Sequence, residues 1–120
     1  MQAELTSKMW EFAKTLDDVD GRTAFDALRA GDETAEKVIR EFVANLGEGI
    51  LNLSAILRPQ AFILGGGISA EKVPRLKPLR DYVSPRLYVS ENYAPLDIRC
   101  AELGNDAGLY GAAQYAYDCL

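Results

Sequence analysis

The residues with the clearest capacity to bind a ligand are three consecutive glycines, Gly65, Gly66 and Gly67, which end a short apolar run at residues 60–64. Such a run is typical of a strand buried on both faces. Glycine adopts positive φ and lets a ligand approach the backbone, because it has no Cβ. In open parallel sheets, ligands bind just beyond the carboxyl ends of the strands. The pattern therefore predicts that a nucleotide binds here, and a tight turn without a ligand explains the glycines equally well.

The two residues after the glycines extend this candidate site. Ile68 continues the loop, and the hydroxyl of Ser69 could donate to a phosphate or a ribose, or cap the turn that follows. Helix N-termini near such loops offer unpaired N–H groups to anions. We therefore predict a cofactor-binding segment made of five residues: Gly65, Gly66, Gly67, Ile68 and Ser69.

Other kinds of chemistry find little support in the sequence. The chain has no histidine, so histidine-based acid–base catalysis is excluded, and its two cysteines, Cys100 and Cys119, are far apart. The acidic residues Asp17, Asp18 and Asp20 fit a solvated turn better than a calcium loop, whose spacing they lack. We predict neither a catalytic residue nor a metal site within this chain.

Composition places the chain among ordinary globular domains. It has 120 residues, of which 48% are hydrophobic and 26% charged, with a net charge of -5. The basic residues are scattered, which argues against direct contact with nucleic acid. No apolar run approaches the roughly 20 residues that span a bilayer, and the N-terminus lacks signal-peptide features. We expect the thiols to be reduced, the location to be cytoplasmic and the chain to make no membrane contact.

Helical periodicity dominates the region before the apolar run. The spacing predicts an amphipathic helix over residues 5–16 and a short helix from Thr23, with a capping box to Asp26 and a C-cap at Gly31. Asp32 or Thr34 can cap a long helix, which apolar residues every three to four positions extend to Leu57 before Arg58 and Pro59.

The region after the glycines contains one further strand. Residues 96–101 alternate in the manner of a strand, a proline-interrupted helical pattern precedes them, and a last helix begins after Gly104. The small-residue face of that helix requires a close neighbour. The fold class is therefore α/β, with parallel strands and flanking helices. Two parallel strands make a poor core alone, so a second chain or a longer polypeptide should complete the sheet.

The dinucleotide fingerprint of dehydrogenases is one interpretation of the glycines. Gly65, Gly67 and Ala70 match its spacing. However, prolines interrupt the helix that should follow, and Glu102, which ends the second strand, lies too far along the chain to be the ribose-binding acid. The dehydrogenase interpretation is therefore disfavoured.

Three blocks in order, FVANLGEGILNL (residues 42–53), LRPQAFILGGGI (residues 57–68) and AELGNDAGLYGAA (residues 101–113), resemble the C-terminal part of the ROK family of repressors, open reading frames and sugar kinases. The resemblance implies a partial C-terminal domain of the actin-like ATPase fold, which is ribonuclease H-like. It also implies a parent enzyme that phosphorylates a sugar with ATP and Mg. The loop beginning at Gly65 would lie near the ribose and α-phosphate, and the helix from Asn105 near the hinge between the lobes.

The family's phosphate loops, catalytic Asp and cysteine-rich zinc motif lie upstream of the matched blocks, so we expect residues 1–120 to be one segment that is inactive alone. Its partners would be the missing N-terminal lobe or a second copy, in a homo-oligomer such as a dimer, with nucleotide and sugar bound by the parent. Two alternatives are a sugar-responsive ROK repressor as the parent, and a natural half-protein that works as a dimer or as a subunit of a split protein.

Overall fold

The computed structural model describes residues 5–66, 76–87 and 96–120, and the chain divides into two compact units, Met1–Gly49 and Ile50–Leu120. The described elements are five α-helices and two β-strands, joined in part by short 3-10 turns at Ser84–Arg86 and Gly104–Asp106. In chain order they are α1 (Met9–Phe12), α2 (Thr23–Arg29), α3 (Glu33–Leu57), β1 (Ala61–Leu64), α4 (Leu76–Val83), β2 (Asp97–Cys100) and α5 (Ala107–Asp118).

A small apolar core holds the first unit together. Helices α1 and α2 pack against each other, and Met9, Ala27 and Ala35 form a buried cluster against which Ala24 and Leu28 pack. Alanines at the contact let the helices approach closely. The buried Phe25 also meets Phe42 of α3 edge to face, with ring centroids 6.3 Å apart.

The end of α2 confirms the predicted C-cap at Gly31, whose φ is 77°. The N–H of Gly31 donates to the carbonyl of Leu28 at 2.9 Å, and the N–H of Asp32 donates to that of Ala27 at 3.1 Å. This pair of bonds is the Schellman motif, which satisfies the last carbonyls of the helix and favours glycine at the left-handed position.

Asp32 caps the N-terminus of α3 and also accepts hydrogen bonds from residues at the start of α1. Its Oδ1 accepts from the N–H of Ala35 at 2.6 Å and from the Ser7 hydroxyl at 3.2 Å, and its Oδ2 accepts from the N–H of Lys8 at 2.6 Å. These bonds, the one from Ala35 first, lower the pKa of the Asp32 carboxyl group below its ordinary value. One buried carboxylate therefore joins the starts of two helices.

The prediction of a helix over residues 5–16 was wrong in length, because α1 covers only Met9–Phe12 and Ala13 is already extended. Just beyond it, the carboxylate of Asp18 accepts from the backbone N–H and the hydroxyl of Thr15, at 3.0 and 2.8 Å. Such local side-chain bonds stabilise a turn in competition with the helix.

The capping box before α2 also lies three residues earlier than predicted. Thr23 donates its N–H to Asp20 Oδ1 at 3.0 Å, and its hydroxyl oxygen accepts from the N–H of Asp20 at 3.1 Å. Asp26 instead pairs with Arg29 one turn further on. Asp20 therefore takes the capping role that the sequence suggested for Thr23.

The second unit contains a parallel pair of strands, as predicted. Phe62 of β1 pairs with Ile98 of β2, and the register continues to Leu64 and Cys100. Helix α4 packs against β2, and the buried apolar side chains of this unit include Leu79, Val83 and Ile98. The α/β class with parallel strands is therefore confirmed.

Much apolar surface of the second unit stays exposed. Ile63 of β1 is 67% exposed, and α5 has no buried residue. A Cβ added at Gly108 or Gly111 would meet no described atom within 4 Å, so the predicted close neighbour of α5 is not found among the described residues. Within the described ranges, no helix is both long and apolar enough to cross a membrane.

Candidate functional site

The candidate site lies where β1 and β2 both end. Gly65 and Gly66 follow β1 and are exposed, and the N–H of Ala101, just after β2, donates to the carbonyl of Leu64 at 2.8 Å. This bond holds the carboxyl ends of the two strands side by side. The loop after β1 therefore begins at the edge of a parallel sheet where α/β proteins bind ligands.

The two described glycines of the loop differ in whether their backbone conformation requires glycine. Gly66 has a φ of 82°, in the left-handed region that L side chains rarely adopt, whereas the φ of Gly65 lies outside that region. A Cβ added at either position would meet no described atom within 4 Å. The backbone therefore requires glycine at position 66, while no described residue explains the glycine at position 65.

The rest of the predicted site lies outside the described residues. Gly67, Ile68 and Ser69 belong to that part, so the structure brings together Gly65 and Gly66 alone from the predicted set.

A feature that sequence reasoning missed lies after β2. Gly104, taken only as the start of the last helix, has a φ of 56° and opens the 3-10 turn before α5. A left-handed glycine therefore follows each strand of the sheet. The position of Gly104 in the sequence could have revealed this, because Gly104 lies four residues beyond β2 and so follows its strand closely, as Gly66 follows β1.

Three charged groups near β2 are paired with one another or with the backbone. Asp97 and Arg99 form an ion pair, which lowers the pKa of the Asp97 carboxyl group and raises the pKa of Arg99. Arg80 Nε donates to the carbonyl of Ile98 at 3.1 Å. In the part of the chain that the structure describes, no three Cys, Asp or Glu residues cluster as metal ligands would.

The sequence matches the model of the ROK family over residues 4–118. The chain belongs to the ROK family. The resemblance of its three sequence blocks is thereby confirmed. This ROK chain is 39% identical over 103 residues to a glucokinase of Streptomyces coelicolor, a match that covers 85% of the chain and 32% of that protein. It is 35% identical over 100 residues to a beta-glucoside kinase of Klebsiella pneumoniae, covering 83% of the chain and 31% of that protein.

The folds agree as well. The crystal structure of a ROK family glucokinase from Streptomyces griseus, in complex with glucose and AMPPNP, superposes on this ROK chain with a TM-score of 0.81 at 31% identity. The match covers 95% of the chain but only 38% of that structure. The chain therefore spans about a third of the length of the curated relatives it matches, and those relatives are sugar kinases.

Proposed function

We propose that the chain is the C-terminal, nucleotide-side part of an ATP-dependent sugar kinase with the actin-like ATPase fold, and that it does not transfer phosphoryl groups alone. In this proposal, the segment from Gly65 to Ser69 lies against the ribose and α-phosphate of ATP. One observation carries it: a left-handed Gly66 at the carboxyl end of a parallel strand, in a chain whose structural neighbour is a glucokinase with AMPPNP.

The described loop fits a nucleotide because it leaves space where side chains would stand. At Gly65 and Gly66, a Cβ would enter a volume free of described atoms. A ligand could therefore approach the backbone there without meeting a side chain. The loop would hold and orient the nucleotide, while the reacting groups would come from the rest of the parent.

Among the described residues, no three Cys, Asp or Glu side chains cluster as ligands for a metal ion of the parent would. Mg, which accompanies ATP in phosphoryl transfer and neutralises charge on the phosphates, is bound through carboxylates and phosphate oxygens. From the resemblance, which places the cysteine-rich zinc motif upstream of the matched blocks, we expect the zinc site in the remainder of the parent and Mg bound together with ATP. From the resemblance, we also expect that the parent is cytoplasmic and homo-oligomeric.

The experiment is an assay of ADP release by the parent protein with ATP, Mg and a panel of hexoses, beside the same assay on the 120-residue chain. We expect sugar-dependent ADP release from the parent alone. Activity of the 120-residue chain would contradict the claim that it is inactive. A parent that binds sugar but releases no ADP, and that carries a DNA-binding domain, would be a ROK repressor instead.

A further inference from the structure

The elements on both sides of the candidate loop, which begins at Gly65, are attached to β2. Before the loop, the carbonyl of Leu64 accepts from the N–H of Ala101 at 2.8 Å, so the chain leaves β1 at a point fixed by β2. After the loop, α4 is the next described element along the chain, and it packs against β2. The placement of α4 on β2 therefore bears on the geometry of the loop between them.

Arg80 of α4 makes a polar contact with β2. Its Nε donates to the carbonyl of Ile98 at 3.1 Å, and its Nη2 donates to the same oxygen. In a strand, the N–H and C=O groups of alternate residues point to opposite sides. Because Ala101 bonds to β1, the carbonyl of Ile98 lies on the outer edge of β2, away from β1. Arg80 therefore supplies this carbonyl with hydrogen bonds that β1 cannot reach to make.

These hydrogen bonds fix the helix in a way that apolar packing does not. The buried apolar side chains of α4 and β2 include Leu79, Val83 and Ile98. Apolar contact is non-directional, whereas a planar guanidinium that donates twice has a defined orientation and makes stronger bonds than a neutral donor does. The hydrogen bond from Arg99 lowers the pKa of the Asp97 carboxyl group most, and the positive charge of Arg80 lowers it further. Arg80 is thus attracted to β2 by a carboxylate as well as by a carbonyl.

We propose that Arg80 is a positioning residue for the nucleotide: it fixes α4 on β2 and so holds the two flanks of the candidate loop in the geometry that binds ATP. The inference rests on the proposed function, because it takes the loop beginning at Gly65 as the nucleotide site. Arg80 acts through β2 and makes no contact with the nucleotide in this proposal. Its loss should therefore weaken the binding of ATP and leave the binding of sugar unchanged, whereas a purely structural role would not distinguish the two substrates.

The test is steady-state kinetics of the parent protein, with ATP and sugar varied in turn, on three variants. Arg80→Met keeps an unbranched apolar stem and removes every donor, and Arg80→Lys keeps the charge without the planar fork. Lys77→Met is the matched control, because Lys77 lies on the same helix and its described ion pair is with Asp81 of that helix. We expect Arg80→Met to raise KM for ATP at least about 5-fold and to leave KM for sugar unchanged. Arg80→Lys should raise KM for ATP by a smaller factor, and Lys77→Met should change neither KM value.

Residue-resolved amide hydrogen exchange on the same proteins measures the effect on the loop flank directly. The Ala101 amide bonds to Leu64 beside the loop, and the Ala35 amide, which bonds to Asp32 in the first unit, is the internal reference. In Arg80→Met we expect Ala101 to exchange at least about 10-fold faster while Ala35 is unchanged. If the methionine variant does not fold, Arg80→Lys decides by the same two measurements.

The outcomes that overturn the proposal are distinct from those that overturn the proposed function. An unchanged KM for ATP, an equal rise in both KM values, or a rise as large in Lys77→Met would refute the role of Arg80. An Ala101 amide that exchanges no faster would refute it as well, because the loop flank would then not depend on Arg80. An unaltered parent without ATP-dependent activity on any hexose would refute the proposed function, and this inference with it.

Discussion

Gly65→Val in the parent protein separates a nucleotide-binding loop from a simple turn. The φ of Gly65 is outside the left-handed region, and its Cβ would meet no described atom within 4 Å, so the fold should tolerate valine within about 0.5 kcal/mol. If ATP lies against this backbone, the side chain occupies ligand space. Forcing extra methyl groups into a packed contact costs about 1–3 kcal/mol, which corresponds to a rise of roughly 5- to 150-fold in KM for ATP.

Gly66→Val should raise KM for ATP at least as much as Gly65→Val does, but it tests nucleotide binding less specifically because it also strains the backbone. Because Gly66 has a φ of 82°, any L side chain there costs about 1–2 kcal/mol before a ligand is considered. We expect this variant to lower the melting temperature and to raise KM for ATP far more than KM for sugar. Comparing the two variants separates the conformational requirement at position 66 from the space requirement at position 65.

The assay is steady-state kinetics of the parent with ATP and sugar varied in turn, together with thermal melts. The control is Gly21→Val, since Gly21 also has an open Cβ position and an ordinary φ but lies in the first unit. For Gly65→Val we expect an unchanged melting temperature, an unchanged KM for sugar and a raised KM for ATP. An unchanged KM for ATP, or an equal rise in both KM values, would refute the reasoning.

Three further changes test the packing. Ile98→Ala should lower the free energy of unfolding by about 2–5 kcal/mol, because that side chain is buried. Ile63→Ala should lower it by about 0.5 kcal/mol or less in this chain, because that side chain is exposed. Equal losses for the two variants in urea denaturation would contradict the described core. The pKa of Asp32 is lowered, mainly by the N–H of Ala35, so its contribution to stability is complete above its ordinary value of 3.8 and is lost as pH falls through the lower folded value. Circular dichroism against pH should therefore show less acid destabilisation in Asp32→Asn than in the native chain, and identical acid transitions would exclude this role. Arg80→Met should cost about 1 kcal/mol and increase self-association in sedimentation, because the carbonyl of Ile98 loses its charged donor; a monodisperse, equally stable variant would show that the donor does not protect the edge.

Local patterns predicted most elements correctly. The long helix α3 (Glu33–Leu57) lies where apolar spacing placed it, and both strands lie within their predicted segments. These predictions succeeded because helical and strand periodicities are read from neighbouring residues. The first helix was overextended because its apolar spacing gave no indication that Asp18 would bond to Thr15 and close a turn.

The candidate site was predictable in type but not in detail. A glycine loop after an apolar strand is visible in the sequence, and so is its resemblance to the ROK family. Which glycine takes the left-handed conformation is not visible, because it depends on how the chain leaves β1. The structure identifies Gly66 and also Gly104, and it shows no backbone need for glycine at position 65.

The sequence alone predicted the order of elements and the glycine C-cap of α2, because these depend on residues close together in the chain. Its three blocks also carried the resemblance to the ROK family, which the family model confirms. The tertiary structure was needed for the contacts between distant residues. Asp32 binds Ser7 across 25 positions, and Arg80 covers the carbonyl of Ile98 across 18. Such bonds form only after folding has brought their partners together, so no local pattern encodes them. The Asp32 bond joins the starts of α1 and α3, and the Arg80 bond covers a backbone carbonyl of β2.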